Sequence, residues 1–209
     1  MKAALILVDI QNDFLPGGAL AVPQGDEVIP VANRLIDRFD CVIATQDWHP
    51  KNHESFASQH EGHEVGQVIQ LQGLEQILWP NHCVQGTHGA EFAATLNRPE
   101  KLRVFPKGTD RNIDSYSGFF DNGQRKSTGL GAYLKTESIN RVYILGLATD
   151  YCVKFTALDA KQLGFETYLV EDGCRGVDLA TGDSAIAVRE MQFAGIQSIQ
   201  SETLLAQDT

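Results

Sequence analysis

Short apolar segments of strand length alternate with helical patterns along the chain, and this alternation limits the fold more than any other feature. Residues 3–8 read AALILV and end at Asp9, which predicts a strand buried on both faces. By the same criterion, further strands are predicted at residues 41–44, 102–105, 141–147, 167–170 and 196–199. Apolar residues at helical spacing predict helices at residues 28–39, 150–163 and 181–194, the first of them with Asp26 as its N-cap. We therefore expect an α/β fold with three αβα layers around a central, mostly parallel sheet of about six strands.

No repeat, linker or low-complexity tract divides the sequence, so residues 1–209 are predicted to form a single domain. Between residues 50 and 100 the chain is polar, rich in histidine and only weakly periodic. Long irregular segments inside compact domains are usually functional. We predict an excursion from the domain at about residues 47–100 that binds a metal ion.

The composition is that of a globular protein with a negative net charge. A hydrophobic fraction of 43% and a charged fraction of 21% exclude a disordered chain. The 27 acidic residues exceed the 17 basic ones and give a net charge of −10, which disfavours nucleic acid and anionic membranes as partners. The four cysteines are scattered without a CxxC pair, and the apolar runs are too short to span a membrane. We expect a soluble, cytoplasmic protein with reduced thiols that acts on a small molecule.

Reactive side chains follow the ends of four predicted strands. In chain order these residues are Asp9, then Asp47 with His49, then Lys107, and then Cys152. Because parallel strands bring their carboxyl ends to the same edge of a sheet, and ligands bind at that edge, we expect these side chains to converge. The convergence of a carboxylic acid, an Asp–His pair that could bind a metal ion, a lysine and a thiol indicates an active site.

Cys152 is the candidate nucleophile. It lies in GLATDYCV, in the first turn of a predicted helix, where backbone N–H groups and the helix dipole lower the pKa of a thiol. Asp9 is a candidate general base for the thiol proton, and a Lys107 ammonium between the two would hold the carboxylate and favour the thiolate. The remaining cysteines are interpreted as ordinary buried residues, namely Cys41, Cys83 and Cys174.

A second group of residues has the chemistry of a metal site. Asp47 and His49 lie two residues apart in DWH, His53 follows four residues later, and His82 lies in WPNHC. One carboxylate with two histidines suits Zn²⁺, Fe²⁺ or Mn²⁺ and leaves coordination positions open. The other histidines are interpreted as ordinary loop residues, namely His60, His63 and His88.

The motifs VDIQNDF, TQDWHP with NHESF, LWPNHC, FPKG and GLATDYCV occur in that order and span nearly the whole chain. In this set the sequence resembles the nicotinamidases of the isochorismatase-like cysteine hydrolase superfamily. The pair of DWH and WPNHC is specific to the nicotinamidase branch. The resemblance implies hydrolysis of nicotinamide to nicotinate and ammonia through a cysteine thioester, with pyrazinamide as a further substrate and a place in NAD salvage.

The resemblance also implies a role for each matching residue. It makes Asp9, Lys107 and Cys152 the catalytic triad, and it places the oxyanion hole at the backbone N–H groups of Ala148 and Cys152, after a cis peptide bond. It implies that the ring of the substrate lies in a pocket made by Phe14, Leu20 and Trp79. It implies one divalent metal ion, Zn²⁺ or Fe²⁺ first and Mn²⁺ as an alternative, which binds the pyridine nitrogen and is held by Asp47, His49 and His82, with His53 as a further ligand.

Three alternatives remain open at this point. Another cysteine amidohydrolase of the superfamily, acting on a carbamoyl or ureido substrate, would not need the metal ligands. A non-haem iron oxygenase would use two histidines and a carboxylate, but it would leave Cys152 and Lys107 unexplained. A catalytically silent binding protein on the same fold would not need the complete set. Whether the protein is a monomer or a homo-oligomer is left open too.

Overall fold

The computed structural model describes residues 2–206 of the chain. Within them, a parallel sheet of six strands lies at the centre. Its strands are β1 Lys2–Val8, β2 Cys41–Asp47, β5 Arg103–Lys107, β6 Ile139–Leu147, β7 Glu166–Arg175 and β8 Gln197–Ile199. They follow the spatial order β5-β2-β1-β6-β7-β8. An antiparallel hairpin of β3 Val68–Leu71 and β4 Leu74–Ile77 stands apart from this sheet.

Helices cover the sheet in two groups. Their bounds are α1 Val28–Ile36, α2 Leu130–Thr136, α3 Lys154–Gln162, α4 Asp183–Phe193 and α5 Ser201–Ala206. Helices α1 and α5 contact each other and β7, while α3 and α4 form a second contacting pair that reaches β7 and β8. The predicted three-layer α/β fold is confirmed.

The core is built on β1, whose residues Ala4, Leu5, Ile6, Leu7 and Val8 are completely buried. This strand lies between β2 and β6, and since consecutive residues point to opposite faces, their complete burial means that both faces of the strand are covered. Complete burial of both faces explains why the segment is apolar without alternation. Each large aliphatic side chain in it contributes about 1.5–3 kcal/mol by leaving water.

The structure changes several predicted boundaries. Strands β2 and β7 run on to Asp47 and Arg175, several residues beyond their apolar segments. Asp26 is not an N-cap, because residues Gly25–Glu27 form a short 3₁₀ turn that leads directly into α1. The helix predicted from residue 150 begins with a π-helical turn at Thr149–Val153. Hydrogen bonds to neighbouring strands extend β2 and β7 into polar residues. The local hydropathy of the sequence does not show these hydrogen bonds, so the predicted strands end too early.

Three elements are absent from the sequence prediction, namely the β3–β4 hairpin, α2 and α5. Each is short, and the hairpin is largely exposed, so none has the long apolar periodicity that identifies an element from sequence alone. Over residues 2–206 no helix combines the length and the apolar character needed to cross a membrane.

Candidate active site

The four reactive positions predicted from strand ends lie together because their strands are neighbours in space. Asp9 directly follows β1, Asp47 ends β2, Lys107 ends β5, and Cys152 lies in the π-helical turn after β6. These strands occupy consecutive places in the sheet, in the order β5-β2-β1-β6. Their carboxyl ends therefore deliver the four side chains to a single site.

Lys107 lies at the centre of this site and is almost completely buried. Its Nζ donates hydrogen bonds to Asp47 Oδ1, to the Ser115 carbonyl oxygen at 2.8 Å and to Cys152 Sγ at 3.3 Å. It also forms an ion pair with Asp9 Oδ2 at 2.9 Å. Burial by itself would lower the pKa of Lys107, but the two carboxylates raise it well above its usual value. The side chain is therefore a fixed cation.

Asp9 is completely buried and has a left-handed backbone, with φ of 48°, which turns the chain away from the sheet directly after β1. Its Oδ1 accepts a hydrogen bond of 2.6 Å from Thr45 Oγ1. Burial raises the pKa of the Asp9 carboxyl, and the Lys107 ammonium offsets this effect only in part. A carboxylate with a raised pKa is a stronger base than one in water.

The Cys152 thiol lies within 4.8 Å of the carboxylate oxygens of Asp9 and Asp47. The expected lowering of its pKa by a helix start is wrong. Burial raises the pKa of Cys152 well above its usual value, although the Lys107 ammonium acts in the opposite direction. Desolvation of the thiolate outweighs the attraction of the Lys107 ammonium, and the nearby carboxylates raise the pKa further. The thiol is therefore protonated and needs a base, and Asp9 is the carboxylate that lies against it without facing a histidine.

Asp47 also faces a pair of buried histidines. Its Oδ2 lies 3.5 Å from His49 Nε2 and 3.7 Å from His82 Nε2. His49 Nδ1 contacts the Gly108 carbonyl oxygen at 2.9 Å, and His82 Nδ1 contacts that of Pro80 at 2.8 Å. A carbonyl only accepts, so each Nδ1 donates a proton to its carbonyl, and each ring therefore turns its Nε2 toward Asp47 Oδ2.

These three side chains fit a divalent metal ion. Buried His49 Nε2 has no hydrogen-bond partner among the described residues, although such an atom is normally satisfied. The ligand atoms of Asp47, His49 and His82 all lie within 4.8 Å of one another. Histidines that donate Nδ1–H to backbone carbonyls are typical of metal sites, because this contact fixes the ring and its tautomer. Two imidazoles and one carboxylate form a donor set for a divalent metal ion.

His53 lies behind His49, with ring centroids 4.4 Å apart, and not in the group formed by Asp47, His49 and His82. Its Nδ1 lies 2.7 Å from Ser55 Oγ, and its ligand atom lies within 4.8 Å of those of His49 and Asp114. Burial lowers the pKa of His53 to about 4, so its ring is neutral at pH 7. Its role as a further ligand stays a prediction.

A small pocket opens beside the thiol. Its lining is mostly apolar and aromatic, and it consists of Phe14, Leu20, Asp47, Trp79, His82, Asp114, Tyr116, Ala148, Tyr151, Cys152 and Val177. The three predicted pocket residues are among them. An aromatic and apolar lining with a few polar groups suits a single planar heteroaromatic ring with one polar substituent.

The Leu147–Ala148 peptide bond is cis, as the resemblance implies. Ala148 and Cys152 both line the pocket, and the carbonyl oxygen of Ala148 accepts the backbone N–H groups of Tyr151 and Val153, each at 3.1 Å. The turn that carries the thiol is thus anchored at the residue after the cis bond. Their backbone role as an oxyanion hole stays a prediction.

The sequence model of the isochorismatase domain family matches residues 3–201 of this chain. The chain belongs to the isochorismatase family. It is 55% identical over 196 residues to the nicotinamidase of Escherichia coli, a match that covers 92% of each chain. Among solved structures, a nicotinamidase/pyrazinamidase of Acinetobacter baumanii has a TM-score of 0.94 at 48% identity, covering 97% of this chain and 98% of that one. A pyrazinamidase of Pyrococcus horikoshii in complex with zinc has a TM-score of 0.80 at 40% identity, covering 96% and 99%.

Within this isochorismatase-family fold, sequence reasoning missed the hydrogen-bonded wall of the pocket. Trp79 Nε1 donates to Tyr116 Oη at 3.0 Å, and Gln76 Nε2 donates to the same oxygen at 3.1 Å. The Tyr151 ring meets the Trp79 ring edge-on, with centroids 4.9 Å apart. Tyr151 is adjacent to Cys152 in the sequence and could have been inferred from that position. Tyr116 lies in a segment without periodicity, where nothing distinguishes it from other loop tyrosines.

Proposed function

We propose that this member of the isochorismatase family is a nicotinamidase, which hydrolyses nicotinamide to nicotinate and ammonia and also accepts pyrazinamide. The observation that carries the proposal is that Asp47 and His82, which form a group with His49, line the same aromatic pocket as the Cys152 thiol. The identities of 55%, 48% and 40% with proteins named for these activities support it.

The proposed reaction uses Asp9 as base and acid in turn. Asp9 takes the thiol proton while the Cys152 sulfur forms a bond to the carboxamide carbon, which leaves a negative charge on the amide oxygen. The backbone N–H groups of Ala148 and Cys152 stabilise this oxyanion. When the carbonyl re-forms, the C–N bond breaks and Asp9 passes its proton to the leaving nitrogen, which departs as ammonia.

The second half returns the enzyme to its starting state. Asp9 takes a proton from a water molecule as the water oxygen attacks the thioester carbon. The C–S bond breaks, the sulfur of Cys152 receives the proton from Asp9, and nicotinic acid is released and loses its own proton to solvent. Lys107 stays charged throughout and keeps Asp9 and Asp47 in place, because its Nζ contacts both carboxylates.

The proposed metal ion belongs to the same pocket. Asp47, His49 and His82 would hold a divalent cation, and this cation would supply Lewis-acid chemistry for the ring nitrogen of the substrate. Phe14, Leu20 and Trp79 pack on the ring and orient the carboxamide toward the sulfur. We propose Zn²⁺ or Fe²⁺, with Mn²⁺ as an alternative, because two imidazoles and a carboxylate favour these ions.

We place this reaction in NAD salvage and in the cytoplasm. The four free thiols support a reducing compartment.

Ammonia release from nicotinamide tests the proposal, with protein of known metal content and a matched pair of cysteine variants. We expect release by the wild type, loss of release on chelation, and recovery when Zn²⁺ is added back. Cys152→Ala should abolish turnover but keep zinc and nicotinamide binding. Cys174→Ala, a change to a buried thiol in β7, should leave the rate unchanged.

No release from zinc-loaded wild type would overturn the proposal and favour a carbamoyl or ureido substrate of the same family. Full activity in Cys152→Ala would refute the thioester mechanism.

A further inference from the structure

Strand β2 runs three residues beyond its pairing with β1. The β1–β2 ladder ends at Leu7 opposite Ala44, whereas on the other side β2 pairs with β5 as far as Asp47 opposite Lys107. The chain leaves the sheet after Val8 through the left-handed Asp9. The side of Gln46 and Asp47 that faces β1 therefore lies beyond the end of β1.

The Gln11 side chain takes the place of that strand. Its Oε1 accepts the Asp47 backbone N–H at 2.8 Å, and its Nε2 donates to the Asp47 carbonyl oxygen at 2.8 Å. These are the two groups that a neighbouring strand would have paired. Gln11 is completely buried, and its second amide hydrogen goes to the Ala90 carbonyl oxygen at 2.9 Å. The amide is thus saturated by backbone partners and has a single orientation.

We propose that Gln11 is a positioning residue that fixes the Asp47 carboxylate and thereby sets the metal affinity of the site. The inference rests on the proposed function, since it assumes that Asp47 is a metal ligand. Asp47 uses Oδ1 for Lys107 and directs Oδ2 at His49 and His82. A shift of its backbone moves both oxygens at once, so loosening residue 47 disturbs the metal group and the lysine together.

Gln11→Met tests the proposal, because methionine keeps the length and volume but makes none of the three hydrogen bonds. The matched control is Gln46→Met. Gln46 Nε2 also donates to the Ala90 carbonyl oxygen at 2.9 Å, but its side chain makes no hydrogen bond to Asp47. Zinc affinity is measured on metal-free protein by competition with a chromophoric chelator. We expect a loss of about 10-fold to 100-fold in Gln11→Met and less than about 3-fold in Gln46→Met.

A spectroscopic measurement separates positioning from general destabilisation. The visible absorption of the Co²⁺-loaded protein reports the ligand geometry directly. Its bands should shift in Gln11→Met and stay at their wild-type positions in Gln46→Met. Gln11→Asn, which is one methylene too short to reach both backbone groups, serves as the second variant if Gln11→Met does not fold.

Wild-type zinc affinity and an unchanged Co²⁺ spectrum in either folded Gln11 variant would overturn the inference. These measurements do not depend on turnover. If the wild type bound zinc but released no ammonia from nicotinamide, the proposed function would fail, while the ratio of zinc affinities would still decide the role of Gln11.

Discussion

Gly108 is the residue where one added methyl group tests the construction of the metal site. It follows Lys107 at the end of β5, has φ of +62°, and its carbonyl oxygen contacts His49 Nδ1 at 2.9 Å. A Cβ at this position would lie 2.3 Å from His49 Cε1 and 2.6 Å from Nδ1. Because His49 is completely buried, the methyl group has to displace either the ring or the loop.

The size of the effect follows from two contributions. An alanine in the left-handed region costs about 1 kcal/mol relative to glycine. The methyl group then has to gain roughly 1 Å from a packed ring, and overpacking of this kind costs about 1–3 kcal/mol. We therefore expect Gly108→Ala to lower the free energy of unfolding of the metal-free protein by about 2–4 kcal/mol and to weaken zinc binding at least 10-fold.

Gly164→Ala separates the two contributions. Gly164 follows α3 with φ of +90°, and among the described residues no atom beyond its chain neighbours lies within 4 Å of the added Cβ. The Gly164→Ala variant should lose only about 1 kcal/mol in its free energy of unfolding and should keep the zinc affinity of the wild type. Urea denaturation of the metal-free proteins and chelator competition give the two quantities. Equal losses of stability in the two variants, with unchanged zinc affinity in Gly108→Ala, would refute the reasoning.

Three further outcomes are expected. Tyr116→Phe removes the acceptor of the Trp79 Nε1 hydrogen bond, so it should raise KM for nicotinamide more than it lowers kcat. In urea denaturation it should lower the free energy of unfolding by about 1–3 kcal/mol. An unchanged KM would show that the Tyr116 hydroxyl does not hold the indole in place. The hydrogen bonds from Arg141 lower the pKa of Glu166, so this carboxylate stabilises the fold above its unfolded pKa of about 4.3, and the effect disappears as the pH falls through its lower folded pKa. Glu166→Gln should therefore reduce stability at pH 7 by less than about 1 kcal/mol, since the pair is partly exposed, and the difference from the wild type should shrink as the pH is lowered below about 4.3. A difference that stayed constant as the pH was lowered would contradict this. Burial raises the pKa of Cys174 to about 12, so this thiol should not react with iodoacetamide at pH 8 in the native protein. Mass spectrometry should find it modified only when the treatment is done in urea. Alkylation of the native protein would show that the thiol is accessible.

Much of the fold was predictable because strand and helix patterns are local. The run before Asp9 is apolar at every position since β1 is covered on both faces, and that requirement is visible in consecutive residues. The β3–β4 hairpin is short and buries few of its residues, so its sequence lacks the apolar pattern that identifies a strand. Polar strand ends such as Asp47 were missed as strand residues because hydrogen bonds to β5, and not hydropathy, extend the strand there.

The residues of the candidate site were predictable in identity but not in chemical state. Positions after strand ends predicted Asp9, Lys107 and Cys152 as a group, and the structure brings their side chains into contact. The pKa of the Cys152 thiol went in the direction opposite to the expected one, because it depends on how much water the surrounding residues exclude. No local pattern contains that information.

The apolar segments of the central sheet and the reactive side chains that follow them could be identified from the sequence alone, since both depend on residues adjacent in the chain. The tertiary structure decided that β5, β2, β1 and β6 are neighbours, and this order turns four separate strand ends into one site. It also decided that Tyr116 holds Trp79 and that Gln11 completes the edge of β2 at Asp47. Contacts of this kind connect residues that are tens of positions apart in the sequence. They therefore form only when the sheet has assembled.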